Sequence, residues 1–446
     1  MPPQFTKPVS EFMLNRSIPP PIRQVSALRL PHAEVLQLRN GIPLYRMHYP
    51  DQEIFKIEVM FFAGRLEESQ RASAKVTSRM LREGAGLLDT AAIAEHFDYY
   101  GASVGTPASL DNSSVVLYGL RKHLPEVLPL FAQIILEPTF PQQELDTYIR
   151  AVVHDAQVEL DKIEVQAYRK ITELIFGAEH PYGYNSMPAD YQALDRNALD
   201  AYYQRWFTPA NACIIASGCI DEDALRQIDN LLGQFSRSGP TKPAYPEPIL
   251  APPLRFDQQH DGSLQTAIRL GRRLFNRHHP DYTAFFVVNT ILGGYFGSRL
   301  MTNIREKKGY TYNIYSSVDT LRHDGYFYIA TEVNNDKAAA TLRQINSEIR
   351  KLRETLVSEQ ELEMVRNYIL GMLLNGLDGP MNSSDMLKSF VMDQLPFEVF
   401  GQMLDVVLNI TPQKIQETAQ QYLQSEDLWT VCVGDLPAKG RKRKPA

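Results

Sequence analysis

Residues 194–218, LDRNALDAYYQRWFTPANACIIASG, and residues 410–434, ITPQKIQETAQQYLQSEDLWTVCVG, are two versions of one pattern. In each, a polar cap opens a helix, and the helix leads into a short apolar strand that ends in glycine, Gly218 or Gly434. The two starts differ by 216 residues (410 − 194). A second pair agrees in order and offset: PQQELDTYIRAVV (141–153) resembles SEQELEMVRNYIL (358–370), with starts 217 residues apart (358 − 141). Either match alone is weak, but together they indicate a chain written twice.

Between the copies lies SRSGPTKPAYPEPILAPP, residues 236–253, with six prolines and one glycine. Such a stretch cannot continue a helix or a central strand and reads as a semi-rigid linker. The expected organisation is an N-terminal extension (1–23), a first domain (24–235), the linker (236–253), a second domain (254–436) and a basic tail (437–446). In the first copy the pattern predicts a hairpin over 35–47 turning at Asn40-Gly41, and a buried strand over 54–64. Helices are predicted over 73–86, stopped by Gly84 and Gly86, and over 89–101, 124–136 and 144–163, and a strand over 114–120. Hairpins mixed with helices argue for an α+β fold of two tandem homologous domains, each a mostly antiparallel sheet packed with helices.

The totals exclude several function classes. The chain has 46 basic and 52 acidic side chains, a net charge of −6, which argues against nucleic-acid binding. No apolar run approaches the ~18 residues of a membrane span. The N-terminus has neither the apolar segment of a secretory signal nor a transit-peptide pattern. Three cysteines without a C-x-x-C spacing suit a reducing compartment, so a cytoplasmic protein is expected.

The search for chemistry begins with negatives. No two of the ten histidines are three or four residues apart, so no helical zinc pair is present. GASVG (101–105) matches the nucleophile-elbow spelling, but it follows a helix and enters a strand, the reverse of the strand-turn-helix that would expose Ser103 as a nucleophile. In SAKVTSRMLREGAG (73–86), Lys75 and Arg79 lie one turn apart with Ser78 beside them, on an amphipathic helix halted by Gly84 and Gly86. In ILGGYFGSRLMTNIREKKGYTYNIYSSV (291–318), Arg305 closes a helix, Gly309 breaks it, and a strand carrying Tyr312 is predicted to follow. A guanidinium and a phenol converging there make good donors to a carbonyl or oxyanion. The glycines Gly293, Gly294 and Gly297 lack a G-x-G-x-x-G spacing and read as structural.

The duplicated halves of about 210 residues, FAGRLEE (62–68) before the 73–86 helix, the long 144–163 helix and SRLMTNIREKKGYTYNIYSS (298–317) together resemble the pitrilysin/insulinase family of zinc metallopeptidases. The nearest branch is the one similar to the mitochondrial processing peptidase. Active members carry H-x-x-E-H on the first long helix, with the glutamate as general base and a further glutamate ligand about 76 residues on. Laid over this chain, those positions fall on Lys75, Ser78, Arg79 and Ala156, and a supporting glutamate falls on Ile149. Two cations and an alanine cannot hold a divalent metal, so this chain is expected to bind no cofactor and to have no peptidase activity alone. His154 and Glu159 supply no third ligand.

In that branch, zinc-bearing and zinc-free subunits pair, and the zinc-free one supplies an Arg/Tyr pair that holds the peptide. The resemblance assigns those roles to Arg305 and Tyr312. It implies a non-catalytic subunit of a heterodimeric metalloendopeptidase, with zinc in an H-x-x-E-H sibling, peptides as substrates, and self-pairing into a homodimer when the sibling is absent. The competing expectation is a scaffold member of the family, resembling respiratory-complex core subunits. An unrelated enzyme built on GASVG is the third.

Overall fold

The computed structural model describes residues 28–239, 245–248 and 252–436. The 1–23 extension, the 437–446 tail and linker residues 240–244 and 249–251 lie outside the described residues. The first half supplies β1 (Glu34–Gln37), β2 (Pro43–His48), β3 (Ile54–Phe61), α1 (Ser73–Met80), a ribbon of β4 (Gly84–Ala85) and β5 (Leu88–Asp89), α2 (Thr90–Tyr99), β6 (Ser103–Gly105) and β7 (Ser113–Leu120). It continues through α3 (Leu124–Leu136), α4 (Gln142–Leu160), α5 (Ile163–Phe176), α6 (Pro188–Gln192), α7 (Arg196–Trp206), β8 (Ala212–Gly218) and α8 (Glu222–Leu232). The second half runs β9 (Arg255–Gln259), β10 (Gln265–Leu274), α9 (Tyr282–Asn289), two widened helical turns at Thr290–Gly294 and Met301–Lys307, β11 (Ile314–Thr320) and β12 (Gly325–Asn334). It ends with α10 (Ala338–Glu354), α11 (Glu359–Gly376), α12 (Gly379–Met392), α13 (Val399–Asn409), α14 (Pro412–Tyr422) and β13 (Trp429–Gly434).

Both halves build the same α+β sheet. The first is ordered β1-β2-β8-β3-β7-β6 and the second β9-β13-β10-β12-β11. In each, the last strand of the half (β8 or β13) pairs antiparallel with one neighbour and parallel with the other. The repeat seen in sequence has local causes. Asp195 caps α7 by accepting from the Ala198 amide at 2.8 Å, and Thr411 caps α14 by accepting from Lys414 at 3.2 Å. Gly218 and Gly434 end their strands where the neighbouring strand crosses. A Cβ there would lie 2.2 Å from the Ile54 carbonyl oxygen and 2.7 Å from that of Gln265, respectively.

The halves interlock by exchanging helices. The first half's α5 packs Ala167, Ile171 and Ile175 against Tyr328, Val431 and Val433 of the second sheet. The second half's α12 packs Leu387 and Val391 against Met47, Met60 and Ile215 of the first. These helices start 216 residues apart, at Ile163 and Gly379, so the exchange is part of the duplication. Each fully buried Ile or Leu in these seams contributes about 1.5–3 kcal/mol. The α12 seam also buries charge: Lys56 and Glu58, both 1% exposed, meet Asp385 and Lys388.

Two expectations need correction. The 144–163 helix is two helices, broken at Asp161 and Lys162; the Gln166 side chain donates to the Leu160 carbonyl at 2.7 Å and so satisfies the broken end. The strand after Gly309 begins at Ile314, not Tyr310. Thr311 donates to the carbonyls of Asn313 (2.9 Å) and Glu332 (2.7 Å), which ties residues 310–313 into a turn.

Candidate functional site

The helix α1 is fixed from its N-terminal end. Ala72 adopts a left-handed conformation (φ 69°), and Glu68 of the FAGRLEE stretch accepts from the amides of Ala72 (3.2 Å) and Ala74 (3.0 Å). Tyr184 donates to the same carboxylate. One face of α1 is buried, and Lys75 and Arg79 project from the other.

At the positions that the resemblance sets against the zinc motif, Lys75 and Arg79 have other partners. The Lys75 ammonium lies 5.7 Å from the centre of the Tyr191 ring, and the Arg79 guanidinium 5.6 Å from that of Tyr148. Arg79 pairs with Glu83 one turn on. Arg82 approaches the same carboxylate at 3.8 Å and donates to the Val104 carbonyl on β6 at 3.2 Å. Ser78 is fully buried, and its hydroxyl has no hydrogen-bond partner among the described residues. Ala156 is half-buried on α4, two turns beyond Tyr148 on the same face. This donor set does not fit the zinc ion that the motif would otherwise imply: two cations, a buried hydroxyl and a methyl offer no ligand set. His154 and Glu159 are exposed, and Glu159 pairs with Lys162 at 2.5 Å.

Ser103 opens the short strand β6 and is exposed, without a side-chain hydrogen bond among the described residues. The strand-turn-helix of a nucleophile elbow is not formed around it.

In the second half, Arg305 stands near the end of the turn Met301–Lys307. Its guanidinium lies 4.5 Å from the centre of the Phe296 ring, a face-on cation–π contact. Tyr312 sits in the 310–313 turn, 93% exposed, and its hydroxyl has no partner among the described residues. Both residues therefore hang on one short connection between a helix and a sheet edge, ready for an outside acceptor. Gly293 lets the Thr290–Gly294 turn approach the sheet: a Cβ would lie 2.6 Å from the Ser316 amide nitrogen on β11. Gly297 similarly faces the Tyr295 ring. Phe296, Tyr148 and Tyr191 were missed in sequence, because aromatic residues from separate segments carry no local signal. Glu83 had one, the R-x-x-x-E spacing.

Residues 193–369 match the family described as "Peptidase M16 inactive domain". The chain is 21% identical over 348 residues to a Bacillus subtilis protein named "uncharacterized zinc protease YmxG", covering 76% of this chain and 83% of that one. It is also 21% identical over 360 residues to a Helicobacter pylori protein named "non-peptidase homolog YmxG", covering 78% and 81%. Its fold is shared with a Pseudomonas fluorescens structure described as a peptidase M16 inactive domain (TM-score 0.84, 21% identity, covering 91% of this chain and 98% of that one). A Helicobacter pylori protease superposes with a TM-score of 0.83 at 16% identity, covering 91% of this chain and all of the other.

Proposed function

From the M16 match of residues 193–369 we propose that the chain is an M16-family member and a non-catalytic subunit that holds peptide for a zinc-bearing sibling. The observation that carries the reading is the second-half connection: Arg305 stacked on Phe296 and Tyr312 exposed, two donors without an acceptor among the described residues. A peptide backbone supplies such acceptors. The substitutions at Lys75, Ser78, Arg79 and Ala156 complete the reading, because they leave this chain without a metal or a general base of its own. The name "non-peptidase homolog" borne by the Helicobacter pylori relative points the same way.

On this reading zinc resides in an H-x-x-E-H partner, peptides are enclosed between the two subunits, and the pair works in the cytoplasm. Without the sibling, the same faces are available for self-pairing. The test is cleavage by the assembled pair carrying Arg305→Ala or Tyr312→Phe in this chain. Loss of one charge-assisted hydrogen bond costs roughly 1.5–3 kcal/mol, about ten- to a hundredfold in kcat/KM. Unchanged cleavage by assembled variants would leave the scaffold role as the better account.

A further inference from the structure

The first half's altered motif is more than a lost zinc site. Arg79 and Arg82 share a single carboxylate, the buried Glu83, and Lys75 makes no ion pair among the described residues. Asp98, which lines the cavity beside Arg79, and Asp155, near Tyr148, make no ion pair with the three cations. Between Lys75 and Arg79 on the helix, the fully buried Ser78 hydroxyl also lacks a partner. Cations thus outnumber paired carboxylates on the outward face of the helix.

The surroundings favour an anion. Tyr148 and Tyr191 place ring faces under the two cations and reduce the water around them. Beside Arg79 and Arg82 lies a cavity of about 270 Å³, lined also by Ile93, Phe97 and Ser103 and by the acids Glu83 and Asp98; Lys75 is not among its lining residues. That is below the ~300–1,000 Å³ of ordinary small-molecule pockets. A group the size of one side chain fits.

We propose that this face is a carboxylate receptor: the ammonium of Lys75 and the guanidinium of Arg79 bind a carboxylate of the peptide, either its C-terminus or an acidic side chain. The inference rests on the reading of the chain as a peptide-holding subunit, but it concerns the half opposite to Arg305 and Tyr312. It makes the substrate class acidic at one position, and it gives the former metal position a binding task in place of a catalytic one.

The experiment is fluorescence anisotropy on the full chain with three labelled decapeptides of Ala, Leu and Gly. One ends in a free carboxylate, one is C-terminally amidated, and one is amidated with a single internal Glu. The free-carboxylate or the Glu peptide binds at least about tenfold more tightly than the plain amide; which of them does so identifies the source of the carboxylate. Lys75→Gln removes the preference, Lys75→Arg keeps it, and Arg305→Ala leaves it in place. Lys75 is exposed, so the Gln variant folds, and its urea unfolding midpoint verifies this. Equal affinity for all three peptides, no binding by any of them at millimolar concentration, or a preference that survives Lys75→Gln overturns the proposal. The Arg305 reading has its own test in cleavage by the assembled pair, so the two can fail separately.

Discussion

The Arg305 guanidinium lies 4.5 Å from the centre of the Phe296 ring, and Phe296 is itself 61% exposed. An exposed aromatic has little to gain from its position as core. Its evident work is to hold a flexible guanidinium in one place before a ligand arrives, so that less side-chain freedom is lost on binding. Phe296→Leu keeps apolar bulk and removes the ring face. Cleavage by the assembled pair is expected to fall about two- to thirtyfold, the equivalent of a cation–π contact worth ~0.5–2 kcal/mol. The loss should be smaller than that of Arg305→Ala, and the double variant should fall no further than Arg305→Ala alone.

The purified chain is expected to retain no zinc after mild chelation, and added zinc should leave its Tm unchanged. A ligand that binds the native state at a hundred times its Kd would add about 2.7 kcal/mol of stability. Metal analysis together with a melting curve reads both outcomes; one tightly held zinc per chain would contradict the reading of Lys75, Ser78, Arg79 and Ala156.

The exchanged helices make a stability prediction. Glu58 on β3 lies 3.6 Å from Lys56 and 2.5 Å from Lys388 on α12, and both Lys56 and Glu58 are buried. Glu58→Ala removes the buried carboxylate between two ammonium groups, leaving Lys56 with Asp385 alone, and should cost about 3 kcal/mol in urea unfolding. Asp385, whose side chain is 64% exposed, also pairs with Lys56. Asp385→Asn should cost less, because Lys56 keeps Glu58.

Stability should also fall with pH over a defined window. Burial lifts the Glu67 carboxyl to about 7 from an ordinary 4.5, against the pull of the Gly64 amide and Arg322. A raised folded value means that this contribution is full below about 4.5 and is lost as pH rises through about 7. Glu67→Gln mimics the protonated form and keeps an acceptor for Gly64. It should be about 1–3 kcal/mol more stable than the parent at pH 8 and equal to it at pH 4.5. Urea midpoints at the two pH values check this.

Much of the architecture was legible because its causes are local. The caps Asp195 and Thr411 and the terminal glycines Gly218 and Gly434 sit at one offset, and each does in space what its residue type suggests. The exchange of α5 and α12 was not legible. It is a choice of which sheet a helix covers, and an apolar face reads the same over either sheet. The helix break at Asp161 contains neither Gly nor Pro; a side chain five residues further on makes it tolerable. The site divides in the same way. Lys75, Ser78, Arg79, Arg305 and Tyr312 were singled out through the motifs that carry the resemblance, whereas Tyr148, Tyr191 and Phe296 reach Lys75, Arg79 and Arg305 only through the fold.

The most direct measurement is a titration of the H-x-x-E-H sibling with this chain, followed by peptide cleavage at fixed sibling concentration. The account predicts negligible cleavage by either chain alone and a rise that saturates at one copy of this chain per sibling. Full activity of the sibling before any of this chain is added would contradict it.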